Sequence, residues 1–337
     1  MPKAWVCGCR GARLDVEERA FMAEADPFGL ILFRRNIVDR AQVLALTSEF
    51  RDLVGRADAP VLIDQEGGRV QRLAPPHWRA YPAAQRFLAE LPREKAIEAA
   101  RLVARLIAHD LREVGIDVDC APVLDVADDL THAVIGSRAY AFDPDDVAAL
   151  GQAAMQGLLD GGVLPIIKHI PGHGRARADS HHELPTVAAT LEELQKRDFA
   201  PFRTLRDAPA AMTAHVVYAA LDPSAPATQS KIIVEDVIRG EIGFNGLLFS
   251  DDMSMKALNG SFFERTVKTF AAGVDIVLHC NGDLTEARAV AEASPRLAGV
   301  SADRAARALS CIAKEAAPFD VEEACRRLGE LWQRALG

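Results

Sequence analysis

Eight short apolar runs, separated by longer amphipathic stretches, limit what this chain can fold into. They are AWVCGC (4–9), GLILF (29–33), PVLIDQ (60–65), DVDCAPVLD (117–125), VLPIIKH (163–169), AAMTAHVVY (210–218), GLLFSDD (246–252) and DIVLHC (275–280). Continuous apolar runs of this length suit strands buried on both faces of a parallel sheet, where side chains leaving on either side meet apolar neighbours. Between them, residues 39–54, 94–114, 144–160, 190–206, 231–240, 261–272 and 283–291 carry helical patterns. In 94–114, Ile97, Leu102, Leu106, Leu111 and Val114 fall on one broad apolar face. Eight strands, most followed by a helix, is the order of a (β/α)8 TIM-type barrel. The expectation is an α/β fold with a single catalytic domain over 1–337: a barrel at about 4–295, then extra C-terminal helices at about 301–316 and 320–335. An open doubly wound sheet competes, but no G-x-G-x-x-G follows the first strand.

Composition narrows the function classes. At 337 residues and 49% hydrophobic, the chain can bury a large core. A net charge of −9 offers no basic field for nucleic acid. No apolar run approaches the ~20 residues that a membrane helix needs. The start, MPKAWVCGCRG, has only a four-residue apolar run before Gly8, too short for a signal-peptide core. The six cysteines are scattered without a CxxC pair, so neither a zinc ribbon nor a disulfide framework is indicated. A cytoplasmic enzyme is expected.

In a barrel, chemistry gathers at the C-terminal ends of the strands. The unusual polar residues fall there: Asp64 with QEGGRVQR, Asp125 with Arg138 further along its loop, Lys168 and His169, His215, and the pair Asp251 and Asp252. Singly, each has a plainer role. Asp64 could pair with Arg69 in a glycine turn, Arg138 could be a surface cation, and His215 a satisfied core histidine. SDD could cap the following helix. Five strands delivering ionisable groups to one rim are harder to explain by packing.

KHIPGHGRARADSHHELP (168–185) holds four of the nine histidines. His169, His173 and His181 with Asp179 are conceivable zinc ligands. Against zinc, the loop lacks rigid helical spacing, and Lys168 would set an ammonium beside the cation. No metal and no cofactor are expected.

DQEGGRVQR (64–72), APVLDV (121–126), IGSRAY (135–140), KHIPGHG…ADSH (168–181), AHVVY (214–218) and FSDDMSMKAL (249–258) occur in that order. Together they resemble bacterial β-N-acetylhexosaminidases of glycoside hydrolase family 3, the short, single-domain cell-wall-recycling type. The resemblance implies a retaining exo-β-N-acetylglucosaminidase that removes terminal GlcNAc from muropeptide fragments, GlcNAc-1,6-anhydro-MurNAc with or without peptide. It further implies Asp251 as nucleophile, His181 as general acid/base and Asp179 as its partner. Sugar binding maps by the same resemblance to Asp64, Arg72, Arg138, Lys168 and His169. Two departures stand out: Ile170 replaces the family's usual aromatic residue, and His182 follows the catalytic histidine. A phosphorylase sharing the covalent intermediate and a metal-dependent barrel hydrolase are the alternative activities. The expected partner is a small carbohydrate, with no nucleic acid and no membrane. The roles of His173, His182 and His215, and the oligomeric state, stay open.

Overall fold

The computed structural model describes residues 1–180, 183–312 and 318–333. Eight parallel strands close into a barrel in sequence order: β1 (Lys3–Gly8), β2 (Pro27–Leu32), β3 (Val61–Ile63), β4 (Val118–Asp119), β5 (Leu164–Ile170), β6 (Ala210–Thr213), β7 (Leu247–Asp252) and β8 (Ile276–His279). The seam joins β1 to β8, with Trp5 opposite Val277 and Val6 opposite Leu278. Every expected strand is present, and alternation explains the unbroken apolar runs. Val6, Ile31, Leu62, Val118, Ile166, Met212, Phe249 and Leu278 share one buried cluster, the filling of the barrel. Their neighbours in sequence, such as Trp5, Ile63, Ile167 and Leu248, belong to clusters under the surrounding helices.

The boundaries differ where the backbone meets the rim. The run 210–218 is not one strand: β6 ends at Thr213, and Val217–Tyr218 pairs instead with Thr186–Val187. The end of 60–65 turns into a hairpin, Gln65–Gly67 against Val70–Gln71. The segment 190–206 is broken into Leu191–Glu193, a wide turn at Leu194–Asp198 and Ala200–Thr204, the last opening with Pro201. Helix Val16–Ala25 was not expected. Its apolar contribution is small (Phe21, Met22 and Ala25), and it is specified by a capping box, Asp15 accepting from the Glu18 amide and Glu18 from the Asp15 amide. With it, a helix follows each of the eight strands.

Helix Gly299–Leu309 closes the N-terminal mouth of the barrel. Its Ala302, Ala305 and Ala308 join the barrel-filling cluster, and Ser301 and Arg304 reach Asp275 at 2.6 and 3.1 Å. Helix Val321–Gln333 lies on helix Arg93–Arg112, where Arg327 pairs with Glu98 at 2.7 Å and Ala324 and Leu331 are buried. No helix among the described residues is long and apolar enough to cross a membrane.

Helix Arg93–Arg112 also packs tightly on Pro144–Asp160. Of the expected apolar face, Leu106, Leu111 and Val114 are buried, together with Ala100, Val103, Ala104 and Ile107, while Ile97 and Leu102 are only half-buried. The approach is set by Gly157, where a Cβ would sit 2.3 Å from the Arg101 carbonyl oxygen and 2.8 Å from Ala104 Cβ. Overpacking costs about 1–3 kcal/mol and exceeds the roughly 0.5–1 kcal/mol that alanine gains in a helix. Gly157→Ala should therefore lower the urea midpoint, and an unchanged or raised midpoint would show that the two helices can part without cost.

Candidate active site

The C-terminal rim collects buried charge. Lys168, near the end of β5, is 2% exposed, and its Nζ lies 2.7 Å from Asp64 Oδ1 and 2.7 Å from Glu66 Oε1. Arg138 grips Glu66 through Nε and Nη2, both at 2.8 Å, and Arg72 Nη2 reaches Asp64 Oδ2 at 3.2 Å. Three cations thus share two carboxylates. Burial alone would push the Asp64 carboxyl up, but Lys168 and Arg72 outweigh it and hold the group below the usual carboxylate range. Glu66 faces the same burial and is drawn down to about 2 by Arg138 and Lys168. Lys168, though burial opposes its charge, is raised by Asp64 and Glu66. The cluster is fully ionised at neutral pH and offers fixed donors and acceptors to hydroxyl groups.

A second carboxylate organises the histidine loop. Asp125 is fully buried beyond β4; its Oδ2 lies 2.7 Å from His169 Nδ1, and its Oδ1 accepts the amides of His169 at 3.2 Å and His173 at 2.7 Å. His173 is 2% exposed, with Nε2 3.2 Å from Ser180 Oγ, while Ser180 O accepts from the Ala257 amide at 3.3 Å. The loop is tied again where Thr131 Oγ1 donates to Gly174 O at 2.8 Å and Tyr218 Oη to Gly172 O at 2.6 Å. Gly174 cannot be replaced there without displacement, since a Cβ would fall 2.0 Å from the Val126 carbonyl oxygen.

At the end of β7, Asp251 Oδ1 accepts from the Asp252 amide at 2.8 Å. Asp252 turns its own carboxylate to the Ser254 amide at 2.9 Å and to the Cys280 amide at 3.0 Å. The helix that follows is capped by Ser261, so SDD is not its cap. Nor does Asp64 pair with Arg69, which donates instead to the carbonyls of Ala133 and Val134. His215 is fully buried between Thr228 and the Asp252 carbonyl.

Of the residues singled out from sequence, Asp64, Arg72, Arg138 and Lys168 share one ionic network, and His169 adjoins it through Asp125. Asp251 lies within electrostatic reach of both His173 and His215, and Asp179 of Arg69. His181 and His182 lie outside the described residues. Among the described residues, no group of three His, Cys, Asp or Glu side chains is placed to hold a metal ion. The sequence places Asp125 at the rim without giving it a role and gives Glu66 none, although both stand in quoted motifs: Glu66 two residues after Asp64, Asp125 closing APVLD. A cleft of about 1120 Å³, lined by Phe28, Arg51, Arg56, Ile116, Leu297 and Ala302, opens at the opposite, N-terminal face. That face contributes stability in barrels rather than chemistry.

The family description "Glycosyl hydrolase family 3 N terminal domain" matches residues 5–308. The chain belongs to glycosyl hydrolase family 3. Within this family it groups with the β-hexosaminidases: it is 42% identical over 278 residues to the β-hexosaminidase of Chromobacterium violaceum, covering 80% of this chain and 76% of that one. Among solved structures, NagZ from Neisseria gonorrhoeae in complex with N-trifluoroacetyl-D-glucosamine superposes with a TM-score of 0.88 at 34% identity, covering 98% of each chain. A family 3 β-N-acetylglucosaminidase from a Paenibacillus species superposes with a TM-score of 0.86 at 31% identity, covering 97% of this chain and 66% of that one.

The site makes a pH prediction for this family 3 enzyme. Burial, with the neighbouring His169, lowers His173 from 6.5 to about 4. The unfolded chain therefore takes up a proton between those two values that the native ring refuses. Stability falls as pH drops through this window, by about 1.4 kcal/mol per pH unit from this group. His173→Gln should flatten the loss of stability between pH 6.5 and 4.5 in urea titrations; an unchanged slope would place the proton uptake elsewhere.

Proposed function

We propose that this chain is a retaining exo-β-N-acetylglucosaminidase, acting as one catalytic domain in the cytoplasm on terminal GlcNAc of muropeptide fragments. The observation that carries the reading is the buried charge cluster around Lys168, set on the same rim as Asp251. A sugar's hydroxyls can exchange hydrogen bonds with Asp64, Arg72, Arg138, Lys168 and His169, and a site that pairs buried hydroxyls discriminates strongly against ligands lacking them. The β-hexosaminidase relatives and the N-trifluoroacetyl-D-glucosamine bound by the Neisseria protein support the sugar class. The KHIPGHG…DSH resemblance supports the muropeptide class.

Asp251, on a barrel strand, attacks the anomeric carbon to give a covalent glycosyl-aspartate, which water then opens. Retention follows from the two displacements. His181 protonates the departing oxygen and then takes a proton from the incoming water. Histidine suits this, because its ordinary pKa allows both steps near neutral pH. Asp179 accepts from the second ring nitrogen and steadies the imidazolium. The spacing rule for two catalytic carboxyls does not apply, since the acid is not a carboxyl.

Asp251→Asn should cut turnover of aryl β-GlcNAc by about 10⁴-fold or more while preserving sugar binding. His181→Ala should slow cleavage of a GlcNAc disaccharide by roughly 10²–10⁴-fold and spare glycosylation by dinitrophenyl GlcNAc, whose leaving group needs little protonation. Equal losses on both donors would give His181 a binding role instead. Running both assays with and without phosphate distinguishes hydrolysis from phosphorolysis.

A further inference from the structure

Asp252, the residue after the nucleophile, is held from several sides. Its carboxylate accepts the Cys280 amide at 3.0 Å and the Ser254 amide at 2.9 Å, and the next amide, Met253 N, donates to Leu278 O at 2.8 Å. Its carbonyl accepts from His215 Nε2 at 3.0 Å, and its own N–H is the group 2.8 Å from Asp251 Oδ1.

The hydrogen directions behind His215 follow from the partners. A carbonyl only accepts, so Nε2 carries the proton facing Asp252. Burial lowers the pKa of the His215 ring and keeps it neutral, leaving Nδ1 as an acceptor for Thr228 Oγ1 at 2.8 Å. Thr228 Oγ1 is in turn 2.7 Å from Thr213 Oγ1, at the end of β6. The chain runs Thr213 to Thr228 to His215 to the Asp252 carbonyl, with His215, Thr213 and Thr228 all fully buried. It links the ends of two neighbouring strands, β6 and β7.

We infer that His215 is a positioning residue for the nucleophile: by holding the Asp252 carbonyl it orients residue 252, whose amide fixes the Asp251 carboxylate for attack. The inference rests on the reading of Asp251 as nucleophile. A relay of this kind matters because attack at carbon tolerates little displacement, and an error near 1 Å can cost about 10²-fold.

The test is pre-steady-state trapping with 5-fluoro-GlcNAc donors carrying fluoride or dinitrophenolate, with peptide mapping of the labelled site. In His215→Phe the limiting trapping rate should fall about 10²-fold, equally for both leaving groups, with the donor's dissociation constant changed less than about twofold. His215→Gln, whose amide can donate to the same carbonyl, should recover to within about tenfold of wild type. Thr228→Val, close in shape, should lose about three- to tenfold. A role in stability alone would reduce the number of active molecules and leave the rate per labelled site intact. Label on another carboxylate in the wild type removes the nucleophile reading and this inference with it. Label on Asp251 with wild-type trapping rates in His215→Phe removes the inference alone. Should His215→Phe not fold, an unchanged rate in Thr228→Val overturns it equally.

Discussion

The ammonium of Lys168 lies 2.7 Å from both Asp64 and Glu66 with almost no access to water, and the rim of the barrel is arranged around that contact. Removing a single charge from water costs several kcal/mol, and mutual attraction offsets this only where the remaining hydrogen-bonding capacity is met. Here every oxygen of the two carboxylates is met: Lys168 reaches one oxygen of each, Arg138 takes both oxygens of Glu66, and Arg72 takes the second oxygen of Asp64. A cluster of this kind adds little to stability compared with apolar residues of the same volume. Its value on the proposed reading is that each donor and acceptor is fixed before a ligand arrives, so that binding needs no reorganisation of these groups.

Asp125 performs a parallel task one strand away. One carboxylate holds the His169 ring and two backbone amides, so that ring and the root of the loop are set by the same group. His173 then extends that order to Ser180, which lies beside Asp179 in the chain. The site is therefore built from buried polar contacts inherited from strand ends, and the apolar barrel supplies the rigid frame they need. This division explains why the eight strands carry so few polar side chains before their last residues.

Much of this was legible in the sequence, and the failures have physical reasons. Strand positions could be read because doubly buried strands leave unbroken apolar runs. The first helix could not, since Phe21, Met22 and Ala25 make too sparse a stripe and its start depends on the Asp15–Glu18 capping box. The break in 210–218 was hidden because AHVVY stays apolar while leaving the barrel: Val217 and Tyr218 are buried by a second pair of strands rather than by the first. In the site, Asp64 and Lys168 could be read from their places at the ends of apolar runs, whereas Arg72 and Arg138 were indicated as sugar-binding residues only by the family resemblance. Glu66 was missed, because a carboxylate beside two glycines reads as a turn, and its partners arrive from β5 and from the loop after β4. His215 looked like a satisfied core histidine and is one, yet what satisfies it is the backbone next to Asp251.

On the proposed mechanism Asp251 attacks the sugar and is itself displaced by water, two inversions that restore the starting configuration. Proton NMR of an aryl β-GlcNAc digest, recorded within the first minutes before mutarotation, tests it most directly. The first GlcNAc signal should be the β-anomer, with the α-anomer growing in only as the free sugar equilibrates. Appearance of the α-anomer first would mean a single displacement by water, and the covalent role of Asp251 would be wrong.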